Sequence, residues 1–446
     1  MNDLITIILS FTNLESQINK TKIIFFIHII ELNLSFFGRF NFLNMARFGK
    51  YNEKTYRNNF TKYFPFLTFN IAHIKFRNFS EVILAGDATY IKKSGTKTYG
   101  LGYFWSGVAS KVLKGLELHV ISAIDVNGNQ SYHLHALQTP LLFLKFIVLD
   151  VIMLKKTKDV ENISSSPLNK SSSLANRTEF YIYHFISNAK LLLTISKYVV
   201  YDGFAYKFKF VSALCAAGFE VISKTRKDAK LYYPLTKEEK EKDSKKGRGA
   251  KRKYGKQINL KNPNLDRFCK DYEDEKIAIY SLIVYAPVLK IKIKISYCIN
   301  LKTKQYVVLF STDLKLSGEK IFVYYKSRFQ IEFMFRDAKQ YTGLEHFQAR
   351  SEKKINYHFN IALISLSLEK TLFYQDPNNK DKPFSMRNIK ISYYNKLVAK
   401  FIFSDSAILL TTIKIKELFS KLEQFGKIIP RKNREKPPIT KILKKE

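Results

Sequence analysis

Apolar residues recur at helical spacing through residues 1–78, in segments rich in Asn, Phe, Lys and Arg, and the pattern changes at Glu81. Residues 82–85 (Val-Ile-Leu-Ala) form an unbroken apolar run of strand length, closing on Gly86-Asp87-Ala-Thr89. Stretches 99–108 and 116–126 also read as strands, and Asp125-Val-Asn127-Gly128-Asn129 reads as a hairpin turn. A Ser- and Asn-rich polar linker occupies about 157–175. Next, a strand at 198–201 ends in Asp202-Gly203, a helix covers about 205–217, and 219–222 is strand again. This alternation predicts an α/β fold with a mixed sheet flanked by helices. Residues 224–317 break it: a charged loop, 237–256, leads to strands at 277–288, 291–297 and 305–310, a β-rich insertion. The domains expected are a helical N-terminal DNA-binding region at 1–78, where 47–57 mixes cations with aromatics and suits DNA nearly equally with a solvated helix face, the first part of a core at 79–223 and the insertion at 224–317. They are followed by a core helix at 318–365 and a helical, basic C-terminal region at 366–446, whose end from 427 is expected to fray.

The most informative segment is Tyr325-Lys-Ser-Arg328-Phe-Gln-Ile-Glu332-Phe-Met-Phe-Arg-Asp-Ala-Lys339. It lacks Gly and Pro and repeats its apolar positions at helical spacing, so it is expected to be one helix. At about 100° per residue, Arg328, Glu332 and Lys339 fall within about 60° of Tyr325. One stripe thus carries a phenol, a guanidinium, a carboxylate and an ammonium, a set suited to a phosphodiester and its metal ions.

Composition narrows the partners. Lys plus Arg number 75 against 38 Asp plus Glu, a net charge of +37. A genome biased towards Lys codons would also raise this total, but the cations are clustered, which points to a polyanion. Cys215, Cys269 and Cys298 are odd in number and form no C-x-x-C, so a reducing compartment is expected, with neither disulfide nor zinc site. The longest early apolar run, 23–30, is interrupted by His28 and is too short to span a bilayer. A soluble, cytoplasmic protein with no membrane partner is expected.

Asp87 and Asp202 each stand where a buried strand stops, the place where side chains of an open α/β sheet converge on a ligand. Taken singly, each suits a turn or cap equally well, and Glu332 a surface position. Taken together, three carboxylates need counter-charge to stay ionised at one point. Hard oxygen ligands select Mg²⁺, or Mn²⁺ in its place. Two such ions about 3.5–4 Å apart clamp the attacking and leaving oxygens of an in-line phosphoryl transfer. Asp87, Asp202 and Glu332 are the expected ligands.

With these residues in hand, the chain resembles the DDE transposases of bacterial insertion sequences, in the group with a Tyr-x2-Arg-x3-Glu-x6-Lys signature. Tyr325, Arg328, Glu332 and Lys339 match that spacing without a gap. The likeness takes in Gly86-Asp87-Ala-Thr89-Tyr90, Tyr201-Asp202-Gly203, the run from Gly218 through Arg226 and Asp228, and the loop Gly247-Arg-Gly-Ala-Lys-Arg-Lys-Tyr-Gly255; it runs from about residue 40 to 365. It implies an RNase H-like core that cuts transposon terminal inverted repeats and joins them to target DNA. It also implies a homodimer on paired DNA ends, at the bacterial nucleoid. Tyr325, Arg328 and Lys339 would hold phosphates, Arg328 by a bidentate grip. A catalytically inactive or domesticated relative that binds DNA without cutting is the alternative.

Other features carry less. Arg248, Lys251, Arg252 and Lys253 lie in the charged loop and suit DNA backbone contact, against the plainer reading of a solvated loop. His133 and His135 form H-x-H with no third ligand nearby and are expected on a polar surface edge. Trp105, the only tryptophan, is expected in the core. Tyr232 and Tyr233 are weak candidates for stacking on a flipped base.

Overall fold

The computed structural model describes residues 2–12, 19–139, 143–144, 174–175, 177–236, 238–239, 241, 252, 254–379, 382–405, 417, 420, 422 and 427. The polar linker expected at 157–175 lies outside the described residues except for its last two, and the basic end from 427 except for its first. The chain separates into two compact units. One comprises Met1–Arg77, Ile91–Leu116 and Phe333–Glu446; the other comprises Asn78–Tyr90 and Glu117–Glu332.

The second unit is built on a mixed sheet. Its strands are β1 (Val82–Lys92), β3 (Lys111–Asp125), β4 (Gln130–Gln138), β7 (Tyr198–Val200), β8 (Glu220–Lys224), β9 (Cys269–Glu273), β10 (Ile277–Ala286), β11 (Ile291–Asn300) and β12 (Tyr306–Ser311). Two short strands, β5 (Phe143–Leu144) and β6 (Leu174–Ala175), pair only with each other. The main order is β3-β1-β7-β8-β12-β11-β10-β9, with β4 antiparallel on β3. β1, β7 and β8 run parallel, and their residues Ile83 to Ala85, Val199, Val200, Val221 and Ile222 are fully buried. Continuous apolar runs are what a strand covered on both faces requires. Helices α6 (Arg177–Ile186), α7 (Ala189–Leu192), α8 (Phe208–Ala216) and α9 (Gly318–Ser327) belong to the same unit, α9 packing against β8, β11 and β12. This mixed sheet flanked by helices is consistent with an RNase H-like core. The strands of the 224–317 stretch extend that sheet: β12 pairs antiparallel with β8 through Leu309↔Lys224 and Phe310↔Ser223.

The first unit is helical and rich in aromatics. It holds α1 (Asn2–Thr12), α2 (Lys20–Ser35), α3 (Phe42–Phe48), α4 (Glu53–Asn59), α5 (Phe66–Arg77), α11 (Glu352–Gln375) and α12 (Met386–Asp405). α11 is buried on every side over residues 357–371, Phe359, Ile361 to Ile364, Leu366 and Leu368 among them, as a central helix is. α2 and α5 pack against it, and Phe26 stacks on Phe64 and meets Phe69 edge-on. In 47–57 the cations Arg47, Lys50, Lys54 and Arg57 are exposed while Tyr56 is buried. The unit also carries a hairpin, β2 (Gly102–Ser106) on the start of β3.

Three expectations need correction. The 325–339 segment is not one helix: α9 ends at Ser327 and α10 spans Gln330–Tyr341. Tight turns link them, Ile331 N–H donating to Arg328 O at 3.0 Å and Glu332 N–H to Phe329 O at 3.1 Å. Ser327 and Arg328, at the break, are both buried. Trp105 is 57 % exposed, because Phe104 and Ser106 take the inward positions of β2. His133 is fully buried and His135 half-buried, not on a polar surface edge.

Candidate active site

Asp87 lies within β1, after Gly86. A Cβ on residue 86 would stand 2.6 Å from Tyr201 Cε2 and 2.8 Å from the Phe185 ring, so only glycine admits both rings against the strand. Asp87 Oδ1 accepts from the Ala88 N–H at 2.8 Å, and Oδ2 faces Arg328 Nη1 at 3.5 Å. Asp202 follows β7 and caps a short 3-10 turn, its Oδ1 accepting from the Phe204 N–H at 3.1 Å. Its backbone carbonyl accepts from Ser223 Oγ at 2.6 Å, which ties it to β8. The cap role expected of an isolated aspartate is therefore present, and it fixes the side chain beside the others.

Arg328 joins the set. Its Nη2 donates to Glu332 Oε1 at 2.9 Å while Nη1 pairs with Asp87. Arg328 is 9 % exposed and its Nε is buried without a hydrogen-bond partner among the described residues. Tyr325 closes the group, its ring 5.9 Å from the Arg328 Cζ. Burial pushes the Asp87 carboxyl up to about 7, opposed by Arg328 and reinforced by the negative charges of Asp202 and Glu332. Burial also raises the Tyr325 phenol, with Asp202 and Glu332 adding to it against Arg328. Asp87, Asp202, Glu332, Arg328 and Tyr325 thus share one electrostatic environment. Among the described residues no three acidic, histidine or cysteine side chains are placed to hold an ion as they stand. Arg328 supplies positive charge to Asp87 and Glu332.

Lys339 sits on α10 in the helical unit, its Nζ 3.4 Å from Glu345 Oε1. Arg248, Lys251 and Lys253 lie outside the described residues; Arg252 is exposed. The ends of their loop are pinned, Tyr233 N–H donating to Lys256 O at 3.0 Å and Tyr232 lying 4.3 Å from the Tyr254 ring. Tyr233 is covered by Arg267, whose Cζ lies 4.5 Å from its ring.

Near Asp87 the structure assembles a histidine chain of which the sequence had singled out His135 alone. His119 of β3, His184 of α6 and His135 of β4 form a chain: Nδ1 of His119 and Nδ1 of His184 are 2.7 Å apart, and Nε2 of His184 and Nδ1 of His135 are 2.9 Å apart. His119 Nε2 continues to Tyr201 Oη at 3.1 Å, next to Asp202. The Tyr181 ring stacks on His119 at 4.4 Å and donates its hydroxyl to Glu117 Oε1 at 2.8 Å. Burial pushes His119 down to about 3 and His135 to about 4, and it lowers His184 as well. The rings are neutral, each with one N–H, and they bind β3, β4, α6 and the end of β7 together behind the acids.

Residues 187–368 match the family model for the transposase DDE domain. The matched span contains Asp202, Tyr325, Arg328, Glu332 and Lys339; Asp87 lies upstream. The match supports a DDE transposase. No curated protein matches the chain. Among the described residues no helix is long and apolar enough to cross a membrane.

Proposed function

We propose that this chain is a DNA transposase of the DDE type, cutting transposon ends and joining them to target DNA with Asp87, Asp202 and Glu332 as the metal-binding acids. The observation that carries it is Arg328 paired with both Asp87 and Glu332, with Asp202 close enough to raise Asp87. Two Mg²⁺ or Mn²⁺ ions, held by the three acids, would activate the attacking hydroxyl and stabilise the leaving oxyanion. Tyr325 and Arg328 orient the scissile phosphate, Arg328 by its planar fork. Lys339 and the basic loop with Arg248, Lys251, Arg252 and Lys253 hold duplex DNA further along, and a homodimer pairs the two ends. The domains assigned from sequence serve this reading: a helical N-terminal DNA-binding region at 1–78, the core at 79–223 with 318–365, and the 224–317 stretch between them.

A DNA-binding relative that no longer cuts is the second reading. One observation favours it: a guanidinium lies between Asp87 and Glu332 where an ion would sit. Incubating the protein with labelled DNA from either side of its coding region, with Mg²⁺, separates the two. Metal-dependent nicking and joining to a target plasmid support the enzyme; retention of the DNA without nicking supports the binding protein.

A further inference from the structure

The hairpin of β2 and the start of β3 presents an aromatic face to solvent. Tyr103 is 71 % and Trp105 57 % exposed, on alternate positions of β2. Across from them Lys114 pairs with Tyr103 and Val112 with Trp105, and Lys114, Val112 and Lys111 are exposed as well. Two residues apart on a strand, the rings sit about 6.5–7 Å from one another, room for separate bases. The surrounding stretch, 91–116, holds Lys92, Lys93, Lys97, Lys111 and Lys114 and no acidic residue.

We propose that this face is a stacking surface for unpaired bases of a single-stranded nucleic acid, Trp105 and Tyr103 taking the bases and Lys111 and Lys114 the phosphates. Aromatic platforms flanked by cations are the general means of holding a single strand without regard to sequence. Charge argues against the other occupant an exposed edge strand invites, a second copy, because a chain of net charge +37 would meet this lysine-rich face with more positive charge. Binding of a single strand can be read without any cleavage.

Trp105 is the only tryptophan, so intrinsic emission reports on this position alone. The full chain is titrated with an oligothymidylate of about 20 nucleotides and, separately, with a duplex of the same length. The single strand is expected to quench Trp105 emission saturably, and the duplex to leave it nearly unchanged. By anisotropy of a labelled strand, Trp105→Ala is expected to weaken binding about tenfold and Tyr103→Ala about fivefold, with Trp105→Phe within about threefold of the parent. Three results overturn the proposal. The strand binds with emission unchanged; Trp105→Ala binds it as tightly as the parent; or the duplex quenches equally. A Trp105→Ala protein that keeps its affinity but sediments as a smaller species assigns the face to a contact between copies, and emission that responds to anionic vesicles alone assigns it to a membrane surface.

Discussion

Arg328 Nη1 lies 3.5 Å from Asp87 Oδ2, a pairing across 241 residues of sequence that fixes the α9–α10 turn over the middle of β1. A lysine at 328 keeps the charge but cannot reach Asp87 and Glu332 together. Arg328→Lys is expected to lower strand transfer at least tenfold with end binding near normal, while Gln330→Ala, on the other side of the turn, changes it less than about threefold. Single-turnover cleavage rates check this; equal damage from both would mean that the turn presents a different face to DNA.

Ion binding has a thermal signature. Saturating Mg²⁺, at about 100 times its dissociation constant, should stabilise the fold by about 2.7 kcal/mol. The gain should vanish in Asp87→Asn, Asp202→Asn and Glu332→Gln. An ion must displace the proton that burial holds on Asp87 up to about 7, so the gain is larger at pH 8 than at pH 6. Melting curves with and without Mg²⁺ at both pH values measure it. A gain unaffected by the three substitutions would place the ions elsewhere.

The histidine chain predicts acid lability. Folded pKa values of about 3 for His119 and about 4 for His135 lie below the ordinary value of 6.5, so the neutral rings stabilise the fold fully above pH 6.5. That contribution declines as pH falls through 6.5 towards those values, as the unfolded chain takes up protons first. Facing groups Tyr181, Tyr201, Glu117 and His133 surround the chain, and none supplies a full positive charge. Between pH 6.5 and 5 each ring should lose on the order of 2 kcal/mol of stabilisation. Urea midpoints at pH 7.5 and 5 test this in the parent and in His135→Gln, where the loss should be smaller. Equal midpoints for the parent at both values would contradict it.

Gly86→Ala drives a methyl into Tyr201 and Phe185. A cost of about 1–3 kcal/mol is expected from overpacking, with Asp87 displaced and cleavage reduced. Denaturant midpoints read the first effect; a variant as stable as the parent would mean that the rings move aside freely.

Much of the sheet could be read from apolar runs: β10, β11 and β12 lie within a few residues of the expected strands, and Asn129 takes the left-handed backbone (φ 49°) at the foreseen hairpin. Asp202 follows its strand as expected, but Asp87 lies inside β1, which continues to Lys92 instead of stopping at Gly86, and Glu332 follows the α9–α10 break instead of sharing one helix with Tyr325. The break at Arg328 was not legible, because no Gly or Pro marks it. Trp105 was misplaced because strand parity was set by Phe104, the ring that β2 buries. The histidine chain could not be assembled from the sequence because His119 and His135 meet through the β3–β4 pairing, with its irregular register between Ile121 and Ser122, and His184 joins them from a helix.

The account rests most directly on the three acids acting as one metal-binding set. Single-turnover cleavage of labelled end DNA in Mg²⁺, by the parent and by Asp87→Asn, Asp202→Asn and Glu332→Gln, tests that claim. Each substitution should reduce cleavage by about 10³-fold or more while gel-shift affinity for the same DNA stays within about threefold of the parent. Cleavage by any one of the three at near the parent rate would remove that residue from the set and contradict the account.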